Sequence, residues 1–103
     1  MARVVVTAPA DADTADILND LVRTAGPGIA DKYITRFESL YDRLASYPDS
    51  GAKRPRLGRD IRIFAVLPYI VIYRHARDDD VVSIIRIVHG RRDINRKLVP
   101  GMR

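Results

Sequence analysis

Helical periodicity is strongest between residues 29 and 46 of this 103-residue chain. Ala30, Tyr33, Phe37, Leu40, Tyr41 and Leu44 recur at intervals of three and four, while Asp31, Lys32, Arg36, Asp42 and Arg43 lie mostly off that stripe. The spacing predicts an amphipathic helix over about 29–46, ended by Pro48 and Gly51. A weaker stripe of Ile17, Leu18, Leu21 and Val22 predicts an earlier helix over about 11–24. Asp11 and Asp13 offer it N-cap oxygens and suit the positive end of its dipole. Gly26, Pro27 and Gly28 break the two apart into a helical hairpin.

The remaining apolar runs have strand character. Arg3 to Thr7 is a short β-branched run closed by Pro9, and Ile61 to Val66 is another, followed by a turn at Leu67 and Pro68. Tyr69 to His75, a charged turn at Arg77 to Asp80, and a run from Val81 read as a β-hairpin leading into a basic patch at Arg91 and Arg92. Between the helices and these strands, residues 52–60 form a basic loop without apolar periodicity.

The predicted order is β-α-α-β-β-β. It implies an α+β fold in which the helical hairpin packs on one face of a mainly antiparallel sheet. In the runs Ile70 to Tyr73 and Ile84 to Val88 both alternating faces are apolar, so the second face is expected to stay partly open and to receive a partner segment.

Composition narrows the class. At this length one domain over 1–103 is expected, and 47% hydrophobic with 30% charged residues suits a globular protein. With no cysteine, disulfides and thiolate chemistry are excluded. The first ten residues lack a secretory pattern and no apolar run reaches a membrane span, so a cytoplasmic location is expected.

Charge adds an asymmetry. Residues 1–50 carry 5 Lys/Arg against 8 Asp/Glu, and residues 51–103 carry 13 against 5. A basic second half favours an acidic partner, either nucleic acid or protein.

Candidate catalytic chemistry is sparse. Neither phosphate-cradling glycine motif is present, and His75 and His89 lack metal-ligand spacing, so no cofactor or metal is expected. Asp78, Asp79 and Asp80 suit a turn, and Glu38, the single glutamate, suits a solvated helix surface. His89 has two readings, a general acid tuned by nearby arginines or a strand-end histidine bonded to backbone. Arg91, Arg92, Arg96 and Lys97 can engage phosphates or carboxylates, or form a solvated tail. Arg62, Arg74 and Arg86 lie in or beside strands, which favours a partner or ligand role.

The element order, the Pro48 to Gly51 helix end, the Pro68 to Tyr73 strand and above all Ile87-Val-His-Gly-Arg-Arg-Asp93 resemble toxins of the RelE/ParE superfamily. The ParE branch is the nearest. RelE-like members cut messenger RNA on the ribosome, but Ile70 stands where they carry an arginine and Lys97 falls near their C-terminal tyrosine. Arg91 aligns with one of their catalytic arginines. The resemblance therefore implies a toxin that binds and traps DNA gyrase and breaks no bond itself. It implies target contacts at Arg91, Arg92, Arg96 and Lys97, with Arg59, Arg62 and His89 beside them. It also implies neutralisation by a ParD-like antitoxin in a hetero-oligomer, whose C-terminal extension would meet Tyr33, Phe37, Ile70, Ile72 and Arg74. Two alternatives stay open, a ribosome-dependent endoribonuclease of RelE type and a protein-interaction module without toxicity.

Overall fold

A computed structural model describes residues 1–99. Its elements are β1 (Arg3–Val6), α1 (Ala8–Ala25), α2 (Pro27–Ser46), β2 (Ala52–Lys53), β3 (Ile61–Val66), β4 (Tyr69–Ala76) and β5 (Val81–His89), with 3₁₀ turns at Pro55–Leu57 and Arg96–Leu98. The five strands form one sheet in the order β1-β5-β4-β3-β2. Only β1 with β5 is parallel, so the sheet is mainly antiparallel and the fold is α+β as expected. The predicted order holds, with the two-residue β2 added inside what reads in sequence as a loop.

Helix α1 starts earlier than its apolar stripe suggests. Thr7, not Asp11 or Asp13, is the N-cap: its hydroxyl accepts from Ala10 N. Pro9 lies inside the first turn, where a helix has no use for its missing N–H. The same hydroxyl lies 2.7 Å from Ile84 O, which ties the cap to β5. Gly26, at φ 92°, closes α1 with its N–H on Val22 O, and Pro27 opens α2 directly.

The α2 stripe forms one half of the main core. Phe37, Leu40 and Leu44 pack on Val66, Tyr69, Val71, Tyr73, Val82, Ile84 and Ile87. Tyr73 is fully buried, and its hydroxyl accepts from Gly51 N at 2.8 Å. No side chain fits at Gly51, since a Cβ there would stand 2.6 Å from both Tyr73 Oη and Ile63 O. Tyr73→Phe leaves Gly51 N–H buried without an acceptor, so about 1–3 kcal/mol of stability should be lost in denaturant unfolding. An unchanged unfolding midpoint would refute that role.

The second face corrects the expectation of an open surface. Ile61, Ile72, Ile85 and Val88 are covered by the chain itself, through Leu57 of the first 3₁₀ turn and Leu98 and Val99 after the second. Ile63, Ile70 and Ile94 pack against this cluster. A bulge makes both faces of β5 apolar: Ile72 is opposite Arg86 and Tyr73 is opposite Ile84, so Ile85 is the extra residue. Ile84 and Ile87 thereby join the helix-side core while Ile85 and Val88 join the other.

Beyond the end of β1, the edge of β5 is paired by a side chain. Asp13 of α1 accepts Ile87 N at 2.9 Å and holds the Arg86 guanidinium through two bonds, at 2.7 and 3.0 Å. Arg86 Nη1 also reaches Leu98 O at 3.5 Å. Arg86 is thus a joint between α1, β5 and the C-terminal cover, where sequence reading gave it a partner or ligand role.

Candidate functional site

The sheet separates the expected target-binding residues into two groups. Tyr69 pairs with both Val66 and His89, and the far end of β4 pairs with Ile61 and Val81. Eight extended residues put roughly 23 Å between these ends.

At the first end the chain leaves β5 through a tight turn. Gly90 N donates to Pro68 O at 2.8 Å, Arg92 N to His89 O at 2.9 Å, and Arg91 N to His89 Nδ1 at 3.0 Å. His89 therefore takes the backbone-bonded alternative, with its ring edge-on to Tyr69 at 5.9 Å. This turn holds the exposed side chains of Arg91 and Arg92 at the end of a rigid strand. Asn95 caps the next turn, accepting Lys97 N at 2.9 Å while its amide donates to Asp93. Arg96 and Lys97 face solvent as Leu98 and Val99 anchor the segment to the core.

A neighbouring segment joins this surface without having been singled out in sequence. Arg54, Pro55, Arg56, Leu57, Ile63 and Ile94 line one cleft of about 340 Å³, so the Arg54 and Arg56 side chains lie beside the C-terminal segment. The only signal was the basic character of residues 52–60, which carries no address.

Arg59 and Arg62 lie at the opposite end. Arg62 is nearly buried: its Nη1 donates to Asp49 O and Gly51 O at 2.9 Å each, and its Nε faces the Asp49 carboxylate at 3.5 Å. Arg77 binds the same carboxylate at 3.2 Å, and Arg59 stands 3.9 Å from Asp60. Together with Lys53, Gly58, Ile61 and His75 they line a cleft of about 310 Å³. Arg62 here fastens the loop after α2 to β3.

His75 completes that network. It is buried, with Nδ1 2.9 Å from Asp49 Oδ1 and Nε2 2.9 Å from Asp80 Oδ1. Only the imidazolium donates to both carboxylates at once. Burial is the largest influence and pulls its pKa down, but the bonds and charges of Asp49 and Asp80 together outweigh it and leave the pKa raised. The His75 hydrogen bond is the main influence holding Asp49 below its ordinary value, with Arg62 and Arg77 adding to it against burial.

The signs of these shifts fix a pH window. Stabilisation from His75 is complete below its unfolded pKa, about 6.5, and is lost as pH rises through the higher folded value. Stabilisation from Asp49 is complete above its unfolded pKa of about 3.9 and is lost as pH falls through the lower folded value. The denaturant midpoint should therefore fall between about pH 5.5 and pH 8.5, and His75→Gln should flatten that dependence. Equal slopes in the two proteins would show that His75 does not carry it.

The residues expected to meet an antitoxin are divided between layers. Tyr33 is half-buried beside Tyr69, at 5.4 Å, and its hydroxyl donates to Leu67 O. Phe37 is 2% exposed beneath it. Ile70 and Ile72 belong to the cluster on the other face, where Ile72 is fully covered, and Arg74 is half-buried in the same strand. Phe37 and Ile72 thus present no surface in the isolated chain. Apolar surface is instead found at the hairpin tip, where Val22 and Ile29 are 49% and 40% exposed. Val22 sits on the predicted apolar stripe of α1 and is nevertheless exposed.

Among the described residues no group of His, Asp and Glu could hold a metal ion, and no helix is long and apolar enough to cross a membrane. Residues 4–94 match the family model described as ParE toxin of type II toxin-antitoxin system, parDE. Toxin ParE3 of Caulobacter vibrioides is 35% identical over 98 residues, which cover 95% of this chain and 96% of that protein. Putative toxin Y4kP of Sinorhizobium fredii is 31% identical over 72 residues, covering 68% of this chain and 73% of its own. A solved structure described as the chromosomal ParDE TA system from P. aeruginosa has the same fold, with a TM-score of 0.70 at 24% identity over 86% of this chain and 96% of its own. The chain belongs to the ParE toxin family of type II toxin–antitoxin systems.

Proposed function

We propose that this toxin acts in the cytoplasm by binding DNA gyrase and trapping it on cleaved DNA, and that a ParD-like antitoxin prevents this. The observation that carries the reading is the exposed basic segment Arg91, Arg92, Arg96 and Lys97, held on the body of the fold by Leu98 and Val99 and by the turn at His89. Cations fixed in this way offer strong contacts to a large acidic target. Cleavage of RNA by its own 2′-hydroxyl needs a base and an acid as well as charge stabilisation, and arginines supply only the last.

The antitoxin segment is proposed to lie along the helical hairpin, using Val22, Ile29 and Tyr33, and to reach the sheet near Ile70 and Arg74. Phe37 and Ile72 support this surface from beneath. A segment that folds as it binds would bury this apolar surface and bring acidic residues to a basic toxin.

Pulse labelling after induced expression tests the cellular target. DNA synthesis should stop first while protein synthesis continues, and co-expressed antitoxin should restore it. Protein synthesis stopping first would favour the ribonuclease alternative.

A further inference from the structure

We infer that Arg54 and Arg56 combine with Arg91, Arg92, Arg96 and Lys97 into one surface that binds the phosphate backbone of duplex DNA directly. The inference deepens the gyrase proposal by giving the toxin its own contact with the DNA that gyrase holds.

Two segments about 40 residues apart meet to make this surface. Ile94 lines the same cleft as Arg54 and Arg56, and it lies between Arg92 and Arg96 in the chain. All six cations are exposed, and none forms an ion pair among the described residues. The one carboxylate within the two segments, Asp93, accepts from the Asn95 amide. The cations at the opposite end differ, since Arg59 faces Asp60 while Arg62 and Arg77 share Asp49. Positive potential is therefore stronger on the cover of the sheet, where six cations face Asp93 alone, than around the other cleft, where Asp49 and Asp60 offset part of the charge.

The backbone on both sides is already in place. Arg54 N donates to Ile61 O at 2.9 Å and Leu57 N to Arg54 O at 3.0 Å, while Asn95 and the buried Leu98 fix the second segment. Little backbone ordering remains to be done on binding.

Phosphate suits this surface better than a protein partner does. Five of the six cations are arginines, whose forked donors match phosphate oxygens as well as those of carboxylates. A protein interface centres on large apolar or aromatic anchors. Here the apolar lining between the arginines is the one cleft of Pro55, Leu57, Ile63 and Ile94, and among the described residues the exposed large hydrophobics, Val5, Val6, Val22, Ile29, Tyr47 and Leu67 among them, lie in other segments. Duplex DNA requires only a spread of cations along its backbone.

Binding of the full chain to a short fluorescent duplex, followed by anisotropy over a salt series, tests this. Affinity should fall linearly with salt on logarithmic axes. Arg54→Gln with Arg56→Gln should reduce that slope by about 1.8 and weaken binding about tenfold or more at low salt. Arg23→Gln with Lys32→Gln removes the same charge from the helical hairpin and should leave the slope unchanged. Absence of binding at low salt, or an equal loss in both double variants, overturns the inference. So does a requirement for Arg54 and Arg56 in binding gyrase without DNA, which would make the surface a protein contact. A toxin that traps gyrase yet fails the duplex test refutes this inference alone and leaves the gyrase proposal standing, and one that binds the duplex yet traps no gyrase does the reverse.

Discussion

Reversing charge at both Arg91 and Arg92, as Arg91→Glu with Arg92→Glu, is expected to abolish growth arrest. Each side chain is exposed at the end of β5 and forms no ion pair among the described residues, so neither is needed to hold the fold. Only the main chain of this turn meets His89, through Arg91 N and Arg92 N, and a glutamate keeps both bonds. What disappears is contact with the target. A hydrogen bond to a charged group contributes about 1.5–3 kcal/mol, and every 1.4 kcal/mol is tenfold in affinity. Losing two such contacts weakens binding by about 100-fold or more, and like-charge repulsion adds to that. Target affinity and growth should be measured beside a thermal melt. A melt at the wild-type temperature with toxicity lost supports the role, and retained toxicity would remove these arginines from the target surface.

Asp13→Ala should cause the largest loss of stability of the substitutions considered. Asp13 accepts from Arg86 Nε, Arg86 Nη2 and Ile87 N, and its side chain and that of Arg86 are 15% and 18% exposed. Its removal strands a guanidinium and an edge amide in a nearly dry setting. Breaking a buried pair from one side costs 3–5 kcal/mol, and the partial exposure places this case near about 3 kcal/mol. In a domain of this size that lowers the melting temperature by roughly 12–20 °C. Asp13→Ala with Arg86→Met should recover part of the loss, since no charge is stranded while Ile87 N–H still lacks its acceptor. A cost below about 1 kcal/mol in the single variant would show that water replaces the carboxylate.

The elements built on regular periods were legible in the sequence. Helix α2 repeats apolar residues at 3.6 and strands β3 to β5 are rich in β-branched and aromatic residues, and both signals survive because the stripe of α2 and the faces of the sheet are buried. Features set by contacts across the chain were not. Thr7 looks like the last residue of a strand until Ile84 O and Ala10 N are placed around its hydroxyl. Asp13 and Arg86 are 73 residues apart, and no local pattern distinguishes a cap from a clamp. Apolar residues on both faces of β5 signalled a second face in need of cover, which was expected from a partner, but Leu57, Leu98 and Val99 supply that cover from within.

The same limit applied to the site. Arg62 and Arg91 look alike as basic residues near strands, yet one is nearly buried against Asp49 and the other is exposed. Charge counting gave the sign of the partner without its place. The family resemblance pointed to the turn after His89, because there the motif is continuous in sequence. It had no means to bring in Arg54 and Arg56, which share a cleft with Ile94 only in the folded chain.

The most direct test of the gyrase proposal is incubation of the purified toxin with gyrase and supercoiled plasmid, in parallel with translating ribosomes. Linear DNA released from gyrase by denaturation, with messenger RNA left intact on the ribosomes, is the predicted result. Intact plasmid together with codon-positioned cuts in the messenger RNA would contradict it.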